Sequence, residues 1–498
     1  MPSERPRVAE HPRFARYPFA LGVASGAPLP TAVVLWTRLA QKPLQGGAMG
    51  SNAVSVDWEV AHDEGFRRIA RRGRVNAVPA LAHSVHVDVR GLEPARSYFY
   101  RFRAGDTVSP IGRTRTAPDA RTSPARLRYG FASCQHFEVG YFAAYRHVLE
   151  EDVDLLLFLG DYIYEGPGRD GSVRRHTDGE ARTLVQYRNR HAQYKTDPDL
   201  QRLHAAVPWL ATWDDHEVDN DYADGRSASL GSQFLRRRAA AYQAYYEHMP
   251  LRAAPRPGFA AMRIHGRYDW GALARFHLLD GRQYRTPQAC PPPGRGGATT
   301  VYEEDCPALM AACRTMLGAP QMMSLRTGLT SAPGRWHLIA QQTLMARAGV
   351  VVNGRRRVWT DAWDGYPAER GRLLRFIRDN ELRSAVVLTG DTHVNYVCDL
   401  KPDFDDAQAE TVATELCGTS VTSQGRPQSE VEAVMRDNPH IRFGNGSRRG
   451  YVVVDVTAER SIARLRVVDD VTDPATGVAT QATFAIAAGH PGAQQISD

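Results

Sequence analysis

Apolar positions recur along this chain in two rhythms. Over residues 19–115 they come in short runs rich in β-branched and aromatic residues, separated by turn residues. TAVVLWTRL, SVDWEVAHD, HSVHVDVRGL and SYFYRFRAG each read as a strand. GLEPARSYFYRF has the form of a tyrosine-corner strand entry, with Tyr98 or Tyr100 packing at the bend. About seven such strands predict a small β-sandwich whose role is structural, as a scaffold or lid. From LRYGFASC onward, strands alternate with amphipathic helices. The run from Leu155 to Leu159 is wholly apolar, as a strand covered on both faces must be. YFAAYRHVLEE reads as a helix, and residues 179–207 as another, with Tyr187, His191 and Tyr194 at helical spacing as packing residues. PWLATWDDHE gives a third strand and QFLRRRAAAYQAYYEHMP a helix. YDWGALARFHLLDGRQYR gives further strands, and residues 286–320 form a Cys/Pro/Gly loop of the kind that makes a rim. WHLIAQQTLM, ERGRLLRFIRDNEL and SAVVLTGDTH continue as strand, helix and strand. RGYVVVDVTAERSIARLRVVDDV closes the chain with antiparallel strands. This alternation predicts an α/β fold. APDARTSPARL, residues 116–126, marks a boundary between two domains, residues 17–116 and 117–498, behind a polar, poorly ordered segment 1–16.

Length agrees with that division, since 498 residues exceed what one core normally serves. No window holds the ~18 consecutive apolar residues needed to cross a membrane. The formal net charge is +7, but the basic residues are scattered, which describes a solvated surface and not a nucleic-acid footprint. Six cysteines occur and none falls in a CxxC pair, which excludes a zinc ribbon. Cys290 and Cys306 flank the Pro/Gly-rich loop, and Cys398 and Cys417 follow GDTH. Disulfides at these two pairs fit an exported protein, and buried free thiols are an equal alternative. MPSERPRVAEHPRF lacks an apolar signal region, so two readings stand, an intracellular protein or one whose leader has been removed.

The chemistry collects at strand ends, where open α/β folds place their ligands. Cys134 follows one strand, and Asp161 and Tyr164 another. Asp214, Asp215 and His216 follow a third, Asp391 and His393 a fourth. A phenol binds metal only after losing its proton, which a hard trivalent ion such as Fe3+ can enforce. With the Cys134 thiolate and the His393 imidazole, the set suits a redox-tolerant transition metal. Asp214, Asp215 and Asp391 make an oxygen-rich half suited to Ca2+, Mg2+ or Mn2+, which Asp161 could join to the first. Two cations about 3.5–4 Å apart would bind a phosphate, acidify a water and stabilise the leaving oxygen. His216 would hydrogen-bond the phosphate or protonate the leaving group. Arg237 and Arg238 would clamp phosphate oxygens, at most one of them facing the site, because helix neighbours diverge. Asn220, in the same DDHEVDND run, joins these as a candidate catalytic residue. Ser133 has no neighbouring base and no GxSxG elbow, so no serine nucleophile is expected. Trp209 is expected in the core; Trp213, Trp359, Trp363 and Tyr366 are left open between core and pocket wall.

ASCQ, GDYIYEG, WDDHEVDND and LTGDTHVN, in this order and spacing, resemble the PhoD-type alkaline phosphatases and phosphodiesterases of the metallophosphatase (calcineurin-like) superfamily. The resemblance runs from about residue 16 to 470 and includes MPLR, WDGYPAER, ELCGTS and RGYVVVDV. It implies a four-layer α/β/β/α metallophosphatase domain behind an immunoglobulin- or fibronectin-like β-sandwich. It implies Fe3+ and one or two Ca2+, with Cys134, Tyr164 and His393 as iron ligands and Asp161 bridging. Asp215 stands where the superfamily's GNHE motif has Asn, and Asp391 takes the first position of its His-x-His pair. The implied activity is that of a metal-dependent alkaline phosphatase, cleaving monoesters and also diesters by in-line attack of a metal-bound hydroxide. A phosphodiesterase or phospholipase D-like enzyme on the same scaffold is the near alternative. A non-catalytic metal-binding module that holds a wall polymer or protein is the distant one. Expected partners are small phosphate esters: nucleotides, phosphorylated metabolites, lipid or wall-polymer diesters. No specific nucleic acid and no transmembrane segment are expected, and the protein is expected to be monomeric. Family members commonly leave by the twin-arginine route, so the expected location is periplasmic or secreted, although no twin-arginine leader is seen.

Overall fold

The Leu155–Leu159 strand lies inside a ten-stranded sheet in a computed structural model, which describes residues 7–229, 231–253, 257–331 and 334–497. Leu127–Ala132 and Pro208–Thr212 flank it, both parallel. The apolar run has no polar alternation because both faces are covered. Leu155, Leu157 and Leu159 point to a second sheet, and Leu156 and Phe158 to helices. That second sheet has seven strands. Its parallel core is Ala274–Leu278, Trp336–Ala340, Ala385–Thr389 and Ala413–Cys417. Phe276, Leu338, Val386 and Leu388 meet Tyr129, Leu157 and Leu210 between the sheets. Helices Ala144–Glu150, Leu184–Tyr194, Pro198–Ala206 and Phe234–His248 cover the outside of the first sheet. Gly318–Thr330, Pro367–Asp379 and Gln428–Asp437 cover the outside of the second. The closing strands Arg449–Val456 and Arg460–Val468 pair antiparallel, as expected, and join the ten-stranded sheet beside Leu127–Ala132. The mixed α/β class follows from this alternation.

The N-terminal strands divide between two sheets. Ala53–Ala61, Ile69–Ala77, Ser97–Ala104 and Gly112–Arg115 belong to a separate six-stranded sheet. Val23–Leu29, Ala32–Arg38 and Ser84–Arg90 instead extend the ten-stranded sheet, through Ser25 opposite Pro208 and Gly26 opposite Trp209. Gly26 is required there, since a Cβ would collide with the carbonyl oxygens of Pro250 and Trp209. The two groups of strands share one apolar interior, Val33, Leu35 and Val87 against Val56, Val60, Tyr100 and Phe102. Tyr98 makes the corner at the bend: its phenol accepts the Glu93 amide at 2.8 Å.

Several local expectations are corrected. Residues 1–6 of the segment read as poorly ordered lie outside the described residues, but Val8–Ala9 pairs with Ala53 and Val54. The helix expected over 179–207 is two. Asp197 caps the second, accepting the Asp199 and Leu200 amides, and Pro198 occupies its first turn. The loop 286–320 holds a short strand, Thr300–Tyr302, and leads into the Gly318–Thr330 helix, whose weakly patterned sequence hid it. Cys290 and Cys306 form a disulfide. Cys398 and Cys417 do not, because strand register sets Cys417 opposite Tyr396 and Cys398 opposite Glu415, leaving two buried thiols. Trp209, Trp213, Trp363 and Tyr366 are all core residues, and Trp359 is exposed.

The interior holds many neutral imidazoles. Burial pulls His337 and His440 down to about 4 from 6.5, and His191, His204 and His248 well below it. Below pH 6.5 the unfolded chain therefore takes up protons that the folded chain refuses until about pH 4. This stability is complete above 6.5 and is lost as the pH falls through that window. The melting temperature should hold between about pH 7 and 8 and fall steadily below 6.5; a flat profile down to about pH 4.5 would show that the rings protonate in place.

Candidate metal centre

Four strand ends converge through an unusual backbone. Cys134, Asp161, Asp391 and His393 all sit in the left-handed region, at φ 60°, 56°, 60° and 57°. Non-glycine residues rarely adopt it, and such strain gathers at functional sites. Two glycines permit the approach: a Cβ on Gly160 would strike Asp214, and one on Gly390 would strike Ser133. The Cys134 amide donates to the Gly160 carbonyl at 3.0 Å and the Gln135 amide to the Asp161 carbonyl at 3.1 Å, joining the first two ends.

Their side chains form one cluster, buried at Cys134, Asp161, Asp214 and Asp215 and partly exposed at His216, Asp391 and His393. Ligating atoms of Cys134, Asp161 and His393 lie within 4.8 Å of one another, as do those of Asp161, Asp215 and His216, and those of Asp214, Asp215 and Asp391. Asp161 and Asp215 each belong to two of these groups, so the cluster is continuous. The Tyr164 oxygen stands 3.0 Å from Asp161 Oδ2 and 3.3 Å from His393 Nε2. His393 Nδ1 faces the Gln424 carbonyl at 2.8 Å, which turns Nε2 inward as an acceptor. Burial raises the pKa values of Asp161, Asp214 and Asp391, and the neighbouring carboxylates raise them further, although His216 and Arg282 pull the other way. Burial and then Asp161 likewise push up the Cys134 thiol and the Tyr164 phenol. Asp215 is the exception: burial raises it, but Arg282 and His216 outweigh burial and hold it low. Asp161 Oδ1, Asp214 Oδ2 and Asp215 Oδ1 are buried without any hydrogen-bond partner. Buried oxygens rarely go unpaired, and a site of sulfur, phenol and imidazole donors beside open carboxylates suits cations of two kinds.

Residues that the sequence reading passed over hold this cluster. Glu217, the last residue of DDHE, accepts the amides of Asp161 at 3.1 Å and Asp214 at 2.8 Å, and also that of Tyr162. Glu165 accepts from His216 Nδ1 at 2.7 Å and from the Asn220 amide at 2.9 Å. Arg282 is fully buried and pairs with Asp214, with Asp215 at 3.5 Å and with Asp361 at 2.8 Å. Arg285 and Gln288 also hold Asp361. The signal for Arg282 was present, since LLDGRQYR follows a strand as the other four segments do. Nothing local marked Asp361.

Arg237 and Arg238, the expected phosphate clamps, are each paired with acids. Arg237 pairs with Glu180 at 2.9 Å and Asp219 at 3.0 Å and donates to the Tyr187 oxygen at 2.7 Å. Arg238 pairs with Asp224 at 2.8 Å and donates to the Ala260 carbonyl. Asn220 is exposed beside Glu165. A further group, His136, Glu138 and His176, also brings ligating atoms together. Hydrogen bonds account for it. The Tyr194 oxygen accepts the Phe137 and Tyr164 amides, so its own hydrogen goes to His176 Nε2 at 3.1 Å. His176 Nδ1 then keeps its proton, toward the Gly166 carbonyl at 3.2 Å, where a cation would be repelled.

The chain as a whole is similar to known proteins. The sequence model of the PhoD-like phosphatase family matches residues 129–465, and that of the PhoD-like phosphatase N-terminal domain matches residues 5–118. Alkaline phosphatase D of Bacillus subtilis (strain 168) is 44% identical over 499 residues, covering 98% of this chain and 84% of that protein. A solved structure described as that of PhoD superimposes with a TM-score of 0.91 at 44% identity, over 98% of this chain and 93% of the other.

Arg282 is the guanidinium that pairs with Asp214 and Asp215 of the carboxylate cluster. Removing one partner of a buried pair costs about 3–5 kcal/mol, because the other charge is left uncompensated. Arg282→Met is therefore expected to lower the unfolding free energy of chelator-treated protein by about that much, read from urea titration. An unchanged midpoint would mean that something else neutralises Asp214 and Asp215.

Proposed function

This chain belongs to the PhoD-like phosphatase family, and from that membership we infer that the cluster is where it hydrolyses phosphate esters. The protein is a phosphoric ester hydrolase of the alkaline phosphatase D kind, acting on small phosphate esters. The observation that carries the location is the meeting of four strand ends at three carboxylate oxygens that have no hydrogen-bond partner. Cys134, Tyr164 and His393, with Asp161, would hold Fe3+. Asp214, Asp215 and Asp391, with the shared Asp161, would hold Ca2+, one ion or two. Such ions supply Lewis acidity, polarising the phosphoryl group and making water nucleophilic near neutral pH.

The remaining steps fall to this chain's own groups. His216 is assigned to protonate the leaving oxygen. Burial opposes its charge, but the carboxylates of Glu165, Asp215 and Asp161 prevail and hold its pKa well above 6.5. Cations would share the charge of Asp215 and Asp161, which leaves Glu165 as the lasting support. Arg237 holds the surrounding wall through Asp219 and Tyr187, and Arg238 does so through Asp224. Asn220, at the exposed edge, is assigned to contact the substrate. Nucleotides and phosphorylated metabolites are the proposed monoesters.

We read the two facing sheets with their outer helices as the four-layer α/β/β/α metallophosphatase arrangement. The N-terminal strands are read as a β-sandwich that lends three strands to the central sheet, with the domain boundary near residue 116. No helix among the described residues is long and apolar enough to cross a membrane. The Cys290–Cys306 disulfide supports an oxidising, periplasmic or extracellular location for a monomeric enzyme.

Turnover of an aryl phosphate monoester at alkaline pH should be abolished by a calcium chelator and return with Ca2+. Asp161→Asn combined with Asp391→Asn should remove turnover in protein that still melts cooperatively; retained turnover would remove the cluster from the reaction. A faster bis-aryl diester would make the enzyme chiefly a phosphodiesterase. Glu165→Gln should reduce turnover ~10–100-fold, as losses of supporting residues around metal sites do. It should also move the alkaline limb of the pH–rate profile to lower pH, because His216 then loses its proton earlier.

A further inference from the structure

The segment Thr419–Ser423 runs beside the cluster and contributes none of its proposed ligands. Ser423 is nevertheless buried against two of them. Its Oγ lies 2.6 Å from the Tyr164 oxygen and 2.9 Å from the Cys134 carbonyl oxygen. Neighbouring bonds fix its position. The Val421 amide donates to the Ser133 carbonyl at 2.9 Å, and Arg449 Nη1 donates to the Ser423 carbonyl at 3.1 Å. Ser420 Oγ also donates to the Ser423 carbonyl.

A serine hydroxyl has one hydrogen, and here it has two acceptors. While Tyr164 is a phenol it has a hydrogen of its own, for Asp161 or for Ser423 Oγ, and Ser423 is free to donate to the Cys134 carbonyl. That carbonyl does not depend on Ser423 Oγ, because it also receives the Ser423 amide at 3.2 Å and the Thr422 amide at 3.4 Å. A phenolate has no hydrogen. With Tyr164 as a metal ligand, two oxygens 2.6 Å apart would face each other with lone pairs unless Ser423 turned its hydrogen to Tyr164. Such a bond to an anion is charge-assisted and stronger than one to a carbonyl.

We propose that Ser423 is a positioning residue of the metal centre, whose hydroxyl moves its hydrogen from the Cys134 carbonyl to the Tyr164 phenolate when that oxygen becomes a ligand. The phenolic proton leaves to solvent, and the Ser423 proton stays on Ser423. One hydrogen bond thus links the Cys134 turn to the Tyr164 side chain, and it holds the phenolate in its metal-binding form. This rests on the reading of Tyr164 as an iron ligand.

The test uses full-length, iron-loaded protein and its visible phenolate-to-iron charge-transfer band. A hydrogen bond withdraws electron density from the phenolate and raises the energy of that transition. Ser423→Ala should therefore keep the band but move it to longer wavelength, and should release iron to a chelator about ten-fold faster or more. Thr422→Val removes a hydroxyl of the same segment that donates to the His136 carbonyl at 2.9 Å and not to Ser423, and should leave the band in place. Ser423→Thr keeps the hydroxyl and should restore it. Exchange into D2O should shift the phenolate C–O stretch of the unaltered protein in resonance Raman spectra, a readout that survives if Ser423→Ala fails to fold. An unmoved band in iron-bound Ser423→Ala, or no D2O effect, overturns the proposal. Persistence of the phenolate band in Tyr164→Phe would instead remove Tyr164 from the iron, which is a separate failure.

Discussion

The site depends on a concentration of carboxylates largely withdrawn from solvent. Asp161, Asp214, Asp215 and Asp391 meet at the carboxyl ends of strands buried between helices and a second sheet. Ionised carboxylates there are costly unless positive charge is supplied. Arg282 supplies part of it to Asp214, Asp215 and Asp361. The oxygens of Asp161 and Asp214 that have neither a hydrogen bond nor an ion pair mark where cations would supply the remainder. A fold that satisfied those oxygens internally would be more stable alone and would have nothing to offer a phosphate.

The backbone bears the cost of assembling this cluster. Left-handed conformations at Cys134, Asp161, Asp391 and His393 aim side chains from separate strands at one another. Gly160 and Gly390 let the strands come close enough for that aim to matter. Glu217 holds the strained corner by taking three amides from two strand ends at once. Burial raises its carboxyl to about 7, while those amides oppose the rise. Strain of this kind persists only where the surroundings over-determine it, and the two-sided burial of the sheet provides such surroundings.

The N-terminal strands take part in the same economy of space. Three of them extend the central sheet through Ser25 and Gly26, so the N-terminal segment is anchored in the layer that carries Asp161 and Asp214. The helix Phe234–His248 packs between these elements, and its Arg237 and Arg238 are committed to Glu180, Asp219 and Asp224. Arginines that look free in a linear reading were needed to neutralise acids of the surrounding loops.

The sequence by itself determined where the candidate ligands would gather. A short apolar run such as Leu155–Leu159, ended by Gly160, reads as a doubly covered strand, which puts Asp161 and Tyr164 at its exit. The same logic placed Cys134, Asp214, Asp215, Asp391 and His393, because strand ends are set by local pattern. It also showed the α/β alternation and the closing antiparallel strands. Tertiary structure alone decided what those groups would face. Arg282 and Asp361 are 79 residues apart in the chain, and no local pattern predicts that they meet. Only strand register keeps Cys398 and Cys417 apart, although each lies in a strand beside the other's. The direction of Arg237 and Arg238 depended on acids of the loop that precedes their helix, Asp219 and Asp224, and on Glu180. Patterning is a property of neighbours in sequence, whereas charge compensation and register belong to neighbours in space.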